Sequence, residues 1–145
     1  PEHTRSVMEP EVMMVPLLAQ VLLTLVVGWQ MQSRRLAAVA EGFDWRYFKT
    51  FEGERPPRHV LQADQHFVNL FELPVLFFAA ALAAMALDLV DQVALALAFL
   101  FVALRGWHAW IALGANRLSR RRWAYQVGWA AVLALWGWVA YAALA

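Results

Sequence analysis

Four stretches of the chain are apolar almost without interruption, and each is long enough to cross a ~30 Å hydrocarbon layer as a helix. They cover residues 12–31, 67–87, 93–113 and 123–145. With 145 residues, the chain has too little polar surface to wrap four helices that are apolar on nearly every side. The pattern therefore predicts transmembrane spans, and in lipid these are helical because every backbone amide must find its partner within the segment. The expected fold class is all-α, an integral membrane four-helix bundle forming a single domain over residues 1–145.

Composition and charge place the bundle in its membrane. Hydrophobic residues make up 62% of the chain, against ~45–50% in an ordinary soluble domain. Ten of the twelve Lys and Arg residues fall between spans one and two (Arg34, Arg35, Arg46, Lys49, Arg55, Arg58) or between spans three and four (Arg117, Arg120, Arg121, Arg122). The turn between spans two and three carries Asp88 and Asp91 and no basic residue. The positive-inside rule puts the two basic loops in the cytoplasm and both termini outside. The segment PEHTRSVMEPE lacks the basic start of a cleaved signal peptide, so the first span is expected to act as its own insertion signal. Topology and anionic headgroups account for the basic loops, and no nucleic-acid partner is expected. Within the first loop, Phe43, Trp45, Tyr47, Phe48 and Phe51 alternate with Arg46 and Lys49, a mixture suited to the headgroup level. The absence of cysteine excludes disulfides, thiolate metal sites and a cysteine nucleophile.

Polar residues inside the spans are the candidates for function. Glu72 lies within FVNLFELPVLFFAAALAAMAL, where an unpaired carboxylate costs several kcal/mol. Gln62, Gln65, Asn69 and Glu72 follow spacings of three, four and three, which places them on one helix face with His66 beside them. Such a stripe serves either a polar cavity or helix–helix hydrogen bonds. In span three, Arg105 and His108 share a face, and an ion pair between Glu72 and Arg105 is expected to join the two spans. His108 can add a hydrogen bond, a proton transfer or packing. No metal site is expected, because the ligands are too few at suitable spacing. Arg120, Arg121 and Arg122, followed by Tyr125 and Gln126, open span four. This cluster either anchors headgroups or stabilises an anion, including the thiolate of a thiol that arrives as a cofactor.

These features in this order resemble the membrane-associated proteins of eicosanoid and glutathione metabolism. The resemblance rests on four spans, a long first cytoplasmic loop, NxxE (Asn69, Glu72), RxxH (Arg105, His108) and NRLSRRRWAY before span four. It covers nearly the whole chain and is nearest to short bacterial members, whose second span reads much like NLFELPVLFF, which implies a bacterial inner membrane. The resemblance implies a homotrimer with glutathione bound between neighbouring subunits near the cytoplasmic side. It further implies that Asn69 and Glu72 hold the peptide, with Glu72 taking the amino group, and that His108 and Tyr125 contact it. Arg121 best matches the arginine that stabilises the thiolate, with Arg120 and Arg122 as neighbouring registers. Arg34 or Arg35 would reach a glutathione carboxylate. The implied activity is a glutathione-dependent transferase or peroxidase acting on lipophilic electrophiles.

The chain also departs from that pattern. Gln65 and Val68 stand where glutathione-using members often carry arginine, and Ala112 where they often carry tyrosine. Each departure removes a contact worth ~1–3 kcal/mol. A non-catalytic membrane accessory subunit or lipid-binding scaffold of a larger membrane complex is the alternative. Trp129 with Trp136, and Trp138 with Tyr141, lie on two different faces of span four, an arrangement that suits packing or a protein interface.

Overall fold

The computed structural model describes residues 8–145, which are helical apart from a long connection over 41–57 and tighter turns elsewhere. The first residues of the acidic N-terminal segment lie outside the described residues. A single 3₁₀ turn, Pro10–Met13, leads into α1 (Met14–Ala40). A one-turn helix α2 (Tyr47–Thr50) follows in the first loop. Then come α3 (Arg58–Asn69), α4 (Leu73–Ala86), α5 (Gln92–Leu113) and α6 (Leu118–Leu144). Among the described residues, four stretches are long and apolar enough to cross a membrane: Pro10–Ala40, Arg58–Ala86, Gln92–Leu113 and Leu118–Leu144. The four-helix membrane bundle read from the hydropathy is therefore the architecture.

Three boundaries differ from the apolar runs, each for a local reason. Helix α1 continues past the last apolar residues to Ala40, so Arg34 and Arg35 sit on the helix rather than in a loop. Helix α6 begins at Leu118, which puts Arg120, Arg121 and Arg122 in its first turns. The second span is two helices. Pro74 has no N–H, and its ring would clash with the carbonyl of Leu70 one turn earlier, so a continuous helix cannot pass through it. The chain tightens instead: Leu70 N–H donates to Phe67 O at 3.1 Å and Phe71 N–H to Val68 O at 2.9 Å. Helix α4 restarts at Leu73.

The packing is inverted relative to a soluble protein. Ala80, Ala84, Ala94 and Ala98 are completely buried, whereas Leu25 and Leu133 are 65% and 59% exposed. Small residues let helices approach closely where lipid gives no hydrophobic drive to associate, and large aliphatic side chains are left to face acyl chains. Helix α5 packs most extensively on α6, and α1 on α3. The main core lies between α4, α5 and α6 around Phe77, Phe101, Val132 and Leu135. A smaller cluster of Val27, Leu70 and Ala109 closes the end that carries the basic segments.

Asp91 ties the opposite end together. Its carboxylate accepts from Ala94 N at 2.8 Å, capping α5, and from the Trp138 indole N–H at 2.9 and 3.0 Å. Met8 N–H donates to Val90 O beside it at 2.8 Å, so the start of α1, the α4–α5 turn and the last turns of α6 meet at one end. Asp91→Ala removes a cap and a half-buried indole's acceptor together, and is expected to lower stability by about 2 kcal/mol. Asp91→Asn, which retains an acceptor oxygen, should recover more than half of that loss in reversible unfolding from mild detergent.

Candidate functional site

Helices α3, α5 and α6 enclose a cavity of about 280 Å³ towards the end that carries the basic segments. Helix α3 contributes Gln62, Gln65, His66 and Asn69, four positions of one face. Helix α5 contributes His108 and Ala112, and α6 contributes Leu118, Arg121, Arg122 and Tyr125. Four residues singled out from the sequence, Asn69, His108, Arg121 and Tyr125, are thus brought together by three helices. The arginine run divides between two openings. Arg121 and Arg122 line this cavity, whereas Arg120 lines a different opening with Arg117.

The polar groups of the cavity are poised rather than satisfied. His66 and His108 are each 2% exposed, and their rings lie 5.0 Å apart between centroids. Tyr125 continues the row at 5.9 Å from His108. Both nitrogens of His66 and Nδ1 of His108 have no hydrogen-bond partner among the described residues. Buried polar groups are normally paired, so these atoms mark places where a water or a ligand belongs. Arg121 is held by one bond, from its guanidinium to Asn116 Oδ1 at 2.8 Å. Among the described residues no carboxylate lines the cavity, so the fixed charge they give it is wholly positive.

The expected ion pair between Glu72 and Arg105 does not form. Glu72 sits in the break before Pro74 with φ −95° and ψ −86°, off the helical stripe, and it is exposed on the single chain. The spacing rule that placed it with Asn69 assumes a helix that Pro74 interrupts. Among the described residues the ion pairs are Arg35–Asp64 at 2.8 Å and Arg46–Asp44 at 3.9 Å. Arg105 is 1% exposed, and its guanidinium donates to the carbonyl of Asn69 at 3.4 Å. That carbonyl ends α3, where the negative end of the helix dipole offsets part of the positive charge.

Arg34 and Arg35 do not reach the cavity within one chain. Arg34 donates to His59 O and Leu113 O, each at 2.9 Å, binding α1 to the ends of α3 and α5. Arg35 pairs with Asp64 and stacks over Phe48, 4.9 Å from its ring centroid. Of the departures noted in the sequence, Gln65 and Ala112 line the cavity, whereas Val68 is exposed outside it. The wall residues whose importance the sequence understated are His66 and Arg122. His66 falls three before Asn69 and four after Gln62, a periodicity that already placed it near the face.

The model of the MAPEG family matches residues 13–141, and the chain belongs to this family. No curated protein and no solved structure matches it.

Proposed function

Taking membership of the MAPEG family as the premise, we propose that this membrane protein is a glutathione-dependent transferase or peroxidase acting on lipophilic electrophiles. The observation that carries the reading is the cavity between α3, α5 and α6, which has cationic side chains, unpartnered imidazoles and amide groups but no acid. It suits a small, polar, anionic molecule held at the border of the bilayer. When bound, glutathione supplies the sulfur nucleophile that a chain without cysteine lacks. Asn69 would hold the peptide backbone, and His108 and Tyr125 would bound it. The Arg121 guanidinium would favour the thiolate over the thiol, with Arg122 as a second cation.

In this reading the protein works as a homotrimer in a bacterial inner membrane, with the basic segments in the cytoplasm. Glu72 supports the assembly, because an exposed carboxylate at the start of α4 forms no ion pair among the described residues. A neighbouring subunit packed over Val68, Phe71, Glu72 and Val75 would remove it from lipid and set it at the edge of the cavity, where it could receive the amino group of glutathione. Arg34 and Arg35, already engaged within their own subunit, are then not needed for the peptide's carboxylates.

Isothermal titration of the purified protein with glutathione tests the reading directly. Saturable binding is expected below millimolar concentration, weakened at least tenfold by Arg121→Leu and by Glu72→Gln, since each removes a charge-assisted hydrogen bond. Absence of binding at millimolar glutathione would overturn it. The non-catalytic scaffold would then stand, favoured by Gln65 and Ala112 in the wall, which offer neither a cation nor a hydroxyl.

A further inference from the structure

Helices α1 and α5 leave between them a groove of about 440 Å³ that shares no residue with the cavity described above. Its walls are Leu23, Val26 and Val27 of α1 and Ala109 and Trp110 of α5, with Gln30 the one uncharged polar side chain, one turn before Arg34. Gly106 faces open space there, since a Cβ placed on it would meet nothing within 4 Å. From Leu23 to Arg34 the groove follows α1 for roughly 16 Å by helical rise, about the depth of one leaflet of a ~30 Å hydrocarbon layer.

The chemistry changes at the end that carries the basic segments. Arg34 lies there, fixed by its bonds to His59 O and Leu113 O, with no carboxylate among the groove's lining residues. Trp110, 81% exposed, stands at this end and also lines the adjoining opening, which contains Arg117 and Arg120 and again no acid. A leaflet-deep apolar slot therefore leads to three guanidinium groups beside an exposed indole. Annular lipid needs no such charge. An amphiphile with one acyl chain in the slot and an anion at its head satisfies both halves, and basic pockets between spans on the cytoplasmic side suit anionic headgroups.

We infer that the α1–α5 groove is a binding site for one anionic phospholipid, its acyl chain lying along Leu23, Val27 and Gly106 and its phosphate against Arg34, Arg117 and Arg120. The site is independent of glutathione.

Native mass spectrometry of the purified protein, titrated with phosphatidylglycerol or with phosphatidylcholine of identical acyl chains, tests the inference. At least tenfold preferential retention of phosphatidylglycerol is expected, one molecule per chain, since each cation near an anionic headgroup contributes about fivefold. Gly106→Leu, which fills the slot, should abolish the retained lipid while leaving the helical circular dichroism unchanged. The exposed pair Arg117→Gln and Arg120→Gln keeps the test independent of that variant's folding, and should reduce the phosphatidylglycerol preference to the about fivefold that Arg34 alone supplies. Equal retention of the two lipids by the unmodified protein would overturn the proposal. So would full phosphatidylglycerol preference in the double arginine variant, or a groove protected from lipid by a second copy of the chain.

Discussion

Arg105→Ala is expected to cost the bundle about 3 kcal/mol, whereas Glu72→Gln is expected to change the stability of the single chain by less than about 0.5 kcal/mol. The two residues would behave alike if they formed the buried ion pair that their positions suggest. The structure separates them. Arg105 is 1% exposed, fills a core position on α5 as a long side chain, and donates to the Asn69 carbonyl at the broken end of α3. Its loss leaves a cavity comparable to that of a deleted methionine and frees a carbonyl that no α4 amide replaces cleanly. Glu72 is exposed and lies outside the cavity wall. A double-mutant cycle combining Glu72→Gln with Arg105→Met, read by reversible unfolding in detergent, should give a coupling below about 0.5 kcal/mol. A coupling above about 2 kcal/mol would instead show a direct ion pair. The same Glu72→Gln should still weaken glutathione binding, because that effect acts at the edge of the cavity rather than through the fold.

The spans were legible because hydropathy over some twenty residues sums many small transfer terms that nothing else in the chain opposes. Their ends were less so. The arginines after span one and before span four have no aversion to a helix, only to hydrocarbon, and α1 and α6 carry them out of the bilayer as continuing helix. Hydropathy marks where lipid stops, not where the helix does. Helical spacing found the wall of the cavity on α3 because Gln62, Gln65, His66 and Asn69 all precede the break, and it failed at Glu72, the first polar position after it. Pro74 was visible in the sequence, and its consequence for Glu72 follows from the missing N–H and the clash with Leu70. What helical periodicity could not show is how three helices meet: that His66 and His108 come within 5.0 Å, that Arg122 joins Arg121 in the wall, and that Arg34 turns towards α5. These depend on inter-helix rotation, which one chain's periodicity leaves open.

Phe77→Ala is expected to be as damaging as the loss of Arg105, at about 3 kcal/mol, while Phe99→Ala should stay within about 0.5 kcal/mol. Both remove a phenyl ring from a membrane span, so the contrast isolates packing from hydrophobicity. Phe77 is completely buried on α4 and stacks on Phe101 of α5, with centroids 4.6 Å apart and ring planes 16° apart. Val132 and Leu135 of α6 belong to the same core cluster, along with Ala80, Ala81, Ala94 and Ala98. Alanines have no side-chain freedom with which to fill a vacated space, so the void persists unless the helices themselves move. Phe99 is 44% exposed, and acyl chains that replace its ring are as apolar as the residues that remain. Phe77→Leu, which keeps most of the volume, should cost less than about 1.5 kcal/mol. Combining Phe77→Ala with Phe101→Ala should reveal a favourable coupling of about 1 kcal/mol from the stacked pair. Equal costs at Phe77 and Phe99 would mean that the α4–α5 stack contributes nothing beyond its apolar surface. The measurement is a set of paired unfolding curves in one detergent, where every variant shares the same apolar reference phase.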